Sequence, residues 1–412
     1  MTAGEGDRAP GLTVVGVDAA GRPAHPGLAA TLAGAGLVVG AARHLAALPV
    51  PPGCATVALG PLAPALDRLA AAVAAGTPAV VLASGDPGFF GIVRRLRAAG
   101  LRPRVLPAVS SVAAAFARAG RPWDDAVVVS AHGRDPRPAL NACRALPAVA
   151  VLTAPGAGAA EIGAGLAGWT RRLVVAEHLG GDAERVVETS PAEAAARSWA
   201  DPHVLLCLAH PGTGRAAGMR TDNQPAAAPA GGWALPEDAY AHRHSMITKS
   251  EVRALAVARL RPRLGRLVWD VGAGSGSVGV ECALLGAAVV AVDRDPAAAG
   301  LVRVNADRHG VDVRVVTGAA PEALRGLPEA DAVFVGGGGT DALAAVARRA
   351  PDRVVVTLAA VDRVAPAVGL LRAAGYAVEG VQLGAARLAD LPGGSIRLAA
   401  TNPVVVLTGE RP

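Results

Sequence analysis

Lysine is almost absent from this chain. Lys249 is the only one in 412 residues, so nearly all of the 40 basic side chains are arginine, set against 34 acidic ones. A net charge of +6, spread without clusters, excludes the basic stripe that nucleic-acid binding needs. Arginine favours planar anions, which suits a polycarboxylate substrate. Aromatic residues make up only 3% of the chain. Ala, Gly and Val therefore carry most of its apolar content, as in closely packed α/β layers. Cysteine is scarce too: Cys54, Cys143, Cys207 and Cys282 are widely separated and form no C-x-x-C pair. Neither a zinc site nor a disulfide framework is predicted, and no metal is expected. Uncharged stretches are broken by proline and glycine, as at Pro147, Pro155 and Gly156 within 145–160, so no bilayer span is expected. The opening MTAGEGDRAPG contains acidic residues and no apolar run, which predicts no signal or transit peptide and a cytoplasmic protein.

A chain of this length exceeds what one core organises, and two domains are expected. From Leu12 to about His210, short β-branched runs (LTVVGV, LVVG, AVVLASG, AVVVS, AVAVLT, RLVVAE, VLLCLA) alternate with Ala-rich helical stretches, the rhythm of βα units. Residues 211–232 replace periodicity with Pro, Gly, Ala and polar residues and read as a linker. The domains are thus placed at 11–210 and 233–412. The second opens with Thr248-Lys249-Ser250-Glu251, a capping-box pattern with Thr248 as candidate N-cap. Further βα units follow: RLVWDVGA, AVVAVDRD, VRVVTG, DAVFVGG, RVVVTLA and PVVVLTG. The two halves share no repeated motif, so they are two different α/β domains.

Two ligands compete for VWDVGAGSGSVGVE, residues 268–281. Both would use glycines to bring backbone amides and a helix N-terminus against a nucleotide. Starting at Gly274, the pattern G-x-G-x-x-G fits a dinucleotide, but it places Asp270 and Gly272 inside the preceding strand, a poor place for both. Starting at Gly272, the turn is Gly272-x-Gly274-x-Gly276 with Asp270 near the strand end, the pattern of S-adenosylmethionine-dependent methyltransferases. Asp293, ending the next strand, can accept from both ribose hydroxyls in either case. A nicotinamide oxidoreductase therefore stays open as an alternative, as does a ligand-binding regulator without methyl transfer in its first half. No Ser/His/Asp, Cys/His or metal constellation is present, and no catalytic acid or base can be named.

Several segments together carry a closer resemblance. Ile247-Thr248-Lys249-Ser250-Glu251-Val252-Arg253, the glycine turn, Thr317-Gly318-Ala319-Ala320-Pro321-Glu322-Ala323-Leu324 and the run Gly336-Gly337-Gly338-Gly339 resemble the decarboxylating precorrin methyltransferase domain of cobalamin biosynthesis. In the first half, Gly40-Ala41-Ala42-Arg43-His44-Leu45, Leu82-Ala83-Ser84-Gly85-Asp86-Pro87, Pro107-Ala108-Val109-Ser110-Ser111, Ser130-Ala131-His132-Gly133-Arg134 and Glu177-His178-Leu179-Gly180 resemble the tetrapyrrole methylases that act on precorrin-6Y. The resemblance implies a two-lobed tetrapyrrole methylase fold followed by a Rossmann-like methyltransferase fold. It also implies methylation of a precorrin at carbons 5 and 15, with loss of the carbon-12 acetate carboxyl, giving precorrin-8.

The same resemblance implies S-adenosylmethionine bound at Thr248, Gly272, Ala273, Gly274, Ser275, Gly276, Asp293, Ala319 and Ala320 in one domain. In the other it implies Ser84, Gly85, Asp86, Ser110 and Ser111. The tetrapyrrole would lie against Gly336, Gly337, Gly338 and Gly339, and against His132 and Arg134. The expected partners are the precorrin substrate and further copies of the chain, with no nucleic acid and no membrane. One departure stands out. Tetrapyrrole methylases usually follow the first strand with G-x-G-P-G, whereas this chain has Val15-Gly16-Val17-Asp18-Ala19-Ala20-Gly21-Arg22-Pro23, so Asp18 and Arg22 are expected either to narrow the cleft or to meet the substrate.

Overall fold

The computed structural model describes residues 11–18, 21–210, 233–243 and 247–412; the linker predicted at 211–232 lies outside them. Three main sheets organise the described residues. The first contains β1 (Leu12–Val17), β2 (Leu37–Gly40), β3 (Ala55–Ala58), β4 (Ala79–Ser84) and β5 (Arg104–Leu106) in the order β3-β2-β4-β1-β5, and every pair is parallel. All six residues of β1 are buried, as expected where helices cover both faces of a parallel sheet. The second sheet contains β6 (Val127–Ser130), β7 (Ala148–Leu152), β8 (Arg171–Glu177), β9 (Arg185–Thr189) and β10 (His203–Ala209) in the order β6-β7-β10-β8-β9. Only β6 and β7 run parallel in it. These are the two lobes expected of the first half.

The second half forms a seven-stranded sheet from β11 (Leu267–Val271), β12 (Ala288–Asp293), β13 (Arg314–Thr317), β14 (Ala332–Val335), β15 (Arg353–Leu358), β16 (Ala377–Leu383) and β19 (Val404–Glu410). Its order is β13-β12-β11-β14-β15-β19-β16, parallel through β15, with β19 antiparallel to both neighbours. Strand order therefore reverses between β11 and β14, and ligands of open α/β sheets bind at such a switch point, beyond the carboxyl ends of the strands. Between β16 and β19 projects a hairpin of β17 (Ala386–Asp390) and β18 (Ile396–Ala400), which exposes Leu388, Ile396 and Leu398.

The two halves pack against each other. The helix Arg137–Ala145 lies against β12, and one apolar cluster runs from Cys143, Val149 and Leu205 into Trp269, Val290 and Leu343. Polar groups fasten the seam. The buried Arg171 guanidinium donates to the Cys143 carbonyl (2.7 Å) and pairs with Asp312 (2.5 Å), Asn141 donates to the Gly265 carbonyl at 3.1 Å, and Arg144 and Arg314 both stack on Trp169. No helix among the described residues is long and apolar enough to cross a membrane.

The capping-box expectation at Thr248 is corrected. The helix runs Ser250–Leu260 with Lys249 at the N-cap and no side-chain cap. Glu237 accepts the Ser250 N–H at 3.1 Å, so the first turn is satisfied from outside the helix, while Glu251 pairs with Arg387 of β17 at 2.6 Å. The cap comes from a carboxylate upstream in sequence that the local pattern could not reveal.

Candidate functional site

The glycine turn begins where β11 stops. Gly272, Gly274 and Gly276 all have φ near +60 to +70° (71, 56 and 74°), a region costly for side-chain-bearing residues. Gly276 caps the helix Ser277–Leu284. The turn is therefore Gly272-x-Gly274-x-Gly276, and Gly272 lies outside the strand, which removes the ground on which the dinucleotide register stood. At the end of β12, Asp293 accepts the Gly274 N–H through Oδ2 (2.8 Å) and the Asp295 N–H through Oδ1 (2.9 Å). Its carboxylate is thus aimed at the turn, with lone pairs left for further donors. Asp270, fully buried in β11, accepts the Gly279 N–H at 2.9 Å. Burial pushes its pKa up to about 7; the Asp293 carboxylate adds to the rise and the Gly279 hydrogen bond opposes it.

A second glycine turn follows β14 and meets the first. A Cβ on Gly272 would lie 2.6 Å from the Gly337 nitrogen, and one on Gly336 would lie 2.9 Å from the Phe334 ring. Gly338 and Gly339 have φ of +86° and +69°, and Gly338 is the N-cap of the helix Gly339–Arg348. Three of these four glycines therefore have structural reasons to be glycine. Gly337 differs: a Cβ there would touch only the Gly272 Cα, at 3.5 Å, with no positive φ to forbid it.

These turns wall a cavity of about 520 Å³ that gathers Gly272, Asp293, Ala319, Ala320 and Gly337–Gly339. Arg294 and Arg363 also line it. Thr248, Ala273, Gly274, Ser275 and Gly276 do not; Ser275 is buried behind the turn, and Asn305 donates to its carbonyl at 2.7 Å. The Thr248 carbonyl accepts from Arg253. A carboxylate beside a backbone cradle that excludes side chains fits an adenosyl group. Asp293→Ala is expected to weaken S-adenosylmethionine binding at this site at least about tenfold, since hydrogen bonds to a charged acceptor contribute roughly 1.5–3 kcal/mol; calorimetric titration checks it.

In the first half, Ser84, Gly85, Asp86, Ser110, Ser111, His132 and Arg134 all line one cleft of about 650 Å³ between the two lobes. Ser110 caps the helix Ser111–Arg118 through the Ala113 N–H, and Asp86 accepts the Gly88 N–H at 2.8 Å. A Cβ on Gly16 would lie 2.3 Å from the Gly85 carbonyl oxygen, so the close approach of the two loops requires this glycine. The departure after β1 has an explanation. Asp18 accepts the Arg22 N–H at 2.6 Å, and the Arg22 guanidinium donates to the Gly180 carbonyl and pairs with Asp182 at 3.6 Å. Neither Asp18 nor Arg22 lines the cleft; they tie the first loop to the second lobe, which corrects the expectation that they narrow the cleft or meet substrate there.

The sequence motifs contained two site residues whose role they did not reveal. Arg43 donates to the Ser84 hydroxyl, and His44 Nε2 sits 3.0 Å from the same oxygen, so the helix Ala42–Ala47 that follows β2 orients a side chain at the end of β4. His44 is only 3% exposed. Burial, reinforced by the Arg43 charge, lowers its pKa to about 4. The folded state then binds fewer protons than the unfolded one between about pH 6.5 and 4, so this contribution to stability is complete above pH 6.5 and is lost as pH falls through 4. His44→Gln is expected to flatten that acid-side loss in denaturant titrations; an unchanged pH slope would place the titration elsewhere.

A two-lobed cleft in one half and, in the other, a switch-point cavity with a glycine cradle and an acidic strand end are the features of an α/β methyltransferase that uses S-adenosylmethionine. The model of the precorrin methyltransferase domain matches residues 238–405, and that of the tetrapyrrole (corrin/porphyrin) methylases matches residues 26–195. The chain is 38% identical over 356 residues to the precorrin-6Y C(5,15)-methyltransferase [decarboxylating] of Sinorhizobium sp, covering 81% of this chain and 79% of the relative. It is 39% identical over 188 residues to a probable cobalt-precorrin-6B C(15)-methyltransferase (decarboxylating) of Pyrobaculum calidifontis, covering 42% of this chain and 94% of that one. A solved structure described as precorrin-6Y C5,15-methyltransferase from Geobacter metallireducens GS-15 is 32% identical, with a TM-score of 0.41, covering 43% of this chain and 97% of that one. The chain belongs to the precorrin-6Y C(5,15)-methyltransferase (decarboxylating) family.

Proposed function

We propose that this chain methylates precorrin-6Y at carbons 5 and 15 and decarboxylates it, in cobalamin biosynthesis, using a separate donor site in each half. The observation that carries the two-site reading is the presence of two unrelated ligand cavities in one chain, each at the carboxyl ends of parallel strands. S-adenosylmethionine supplies an electrophilic methyl group; the electron-rich macrocycle supplies the attacking carbon, so the protein mainly orients. In residues 11–210, Ser84–Asp86, Ser110 and Ser111 hold the donor, and His132 and Arg134, at the exposed side of the cleft, face the tetrapyrrole. In residues 233–412, the Gly272 turn and Asp293 hold the donor, and the second glycine turn leaves room for the macrocycle.

Decarboxylation belongs to the C-terminal half. The bond from the acetate methylene of carbon 12 to its carboxyl breaks, carbon dioxide leaves, the electron pair passes into the conjugated ring, and a proton taken up at the former methylene carbon completes the methyl group. The exposed leucines of the β17–β18 hairpin support self-association, since an isolated two-stranded hairpin with an apolar face is marginal in water. We place the protein in the cytoplasm. The test is turnover of precorrin-6Y with methyl-labelled donor by the full chain. Two labelled methyl groups and one lost carbon dioxide per macrocycle are expected; an unaltered tetrapyrrole would contradict the proposal.

A further inference from the structure

Beside the donor cavity lies a second, smaller one of about 310 Å³, at the carboxyl ends of β14 and β15. Its walls are mostly apolar, formed by Val335, Leu343, Val356, Leu358 and Ala367, with the hydroxyl residues Thr340 and Thr357. Gly337, Gly339 and Arg363 line both cavities, so the two communicate across a glycine wall. Among the described residues, Arg363 is the one charged residue lining the smaller cavity. Elsewhere in this half Arg349 donates to the Leu327 carbonyl, Arg353 pairs with Glu410, and Arg387 binds Glu237 and Glu251; Arg294, which lines the donor cavity, has no side-chain hydrogen bond or ion pair with any described residue. The Arg363 side chain makes no hydrogen bond or ion pair with any described residue. An exposed cation at the junction of two cavities, unopposed by any acid lining either its own cavity or, apart from Asp293, the donor cavity, is suited to an anion brought by the substrate.

The volume suits one arm of a tetrapyrrole rather than the ring, being at the lower limit of small-molecule sites. Which arm follows from the chemistry. An ion pair with arginine stabilises a carboxylate, but it loses strength in the transition state for decarboxylation, when the charge has moved into the ring. A cation on the departing carboxyl would therefore slow its loss. Resting on the function proposed above, we propose that this cavity holds a carboxylate arm that the product retains, with Arg363 as its counter-ion. Arg363 is then a positioning residue: by anchoring one arm across the glycine wall, it sets which ring carbon faces the methyl donor and which acetate is left unpaired.

The test uses the full chain with precorrin-6Y and S-adenosylmethionine, comparing wild type with Arg363→Gln and Arg363→Lys. Arg363→Gln is expected to raise KM for the tetrapyrrole in the C-terminal reaction about tenfold or more. The N-terminal methylation should be unchanged, donor affinity should fall by less than the tetrapyrrole KM rises because Arg363 also borders the donor cavity, and Arg363→Lys, which keeps a charge but not the planar fork, should restore part of the loss. A merely structural role would lower donor binding and kcat together and would not be rescued by lysine. An unchanged KM in Arg363→Gln overturns the inference. So does carbon dioxide release faster than wild type at saturating tetrapyrrole, because Arg363 would then have been holding the departing carboxyl. If wild type itself neither methylates nor decarboxylates precorrin-6Y, the functional reading falls and this inference with it.

Discussion

Gly337→Val should abolish carbon dioxide release and one of the two methyl transfers, a larger loss than its effect on S-adenosylmethionine affinity, although Gly337 also walls the donor cavity. The position is informative because the fold does not demand glycine there. A Cβ meets only the Gly272 Cα at an ordinary 3.5 Å, whereas Gly338 and Gly339 need positive φ and Gly336 is crowded by Phe334. Loss of activity at Gly337 would therefore report an obstructed ligand rather than a broken turn. The N-terminal methylation is unaffected, because its cleft is built from the other two sheets. Gly337→Ala should give a smaller defect in the same direction. Normal turnover by a folded Gly337→Val variant, verified by circular dichroism, would place the macrocycle elsewhere.

Glu281→Ala is expected to destabilise the C-terminal half by roughly 3–5 kcal/mol, the cost of leaving a buried charge without its partner. Arg253 and Glu281 are both fully buried and meet at 2.6 Å. Glu281 also accepts the Ala234 and Leu235 N–H groups and the Tyr240 hydroxyl, and Arg253 donates to the Thr248 and Leu235 carbonyls. This pair fastens the segment that leads into the domain onto two of its helices. For a domain of this size the loss corresponds to a melting transition lower by about 6–20 °C. The N-terminal transition should move much less. Replacing both partners, as in Arg253→Leu with Glu281→Met, should recover much of the stability, since apolar side chains of similar volume carry no desolvation penalty. A double variant as unstable as Glu281→Ala would show that the backbone hydrogen bonds, and not the charge, dominate.

The strands most visible in the sequence are the buried ones. Runs such as LTVVGV and RVVVTL are continuous apolar segments because both of their faces are covered. Those that escaped are short or exposed. Strand β5 has three residues, β3 has no fully buried position, and β16 carries Glu379, Gly380 and Gln382 at a sheet edge. The hairpin β17–β18 leaves its leucines in solvent, so its alternation points to no core.

For the site, the glycine turns were readable because backbone geometry demands glycine locally and leaves a pattern. Side chains that meet only through the fold leave none. Ser84 and His44 are 40 residues apart and touch because β2 and β4 are neighbours. Arg363 reaches its cavity from the far end of β15 with no motif around it. Glu237 replaces the expected Thr248 cap from 13 residues upstream of Ser250.

The proposed function requires two independent donor sites of different architecture in one chain. Calorimetric titration of the full chain with S-adenosylmethionine tests it most directly. Two molecules bound per chain are expected, one of them weakened by Asp293→Ala and the other untouched. A single molecule per chain, or two that Asp293→Ala leaves equally tight, would contradict it.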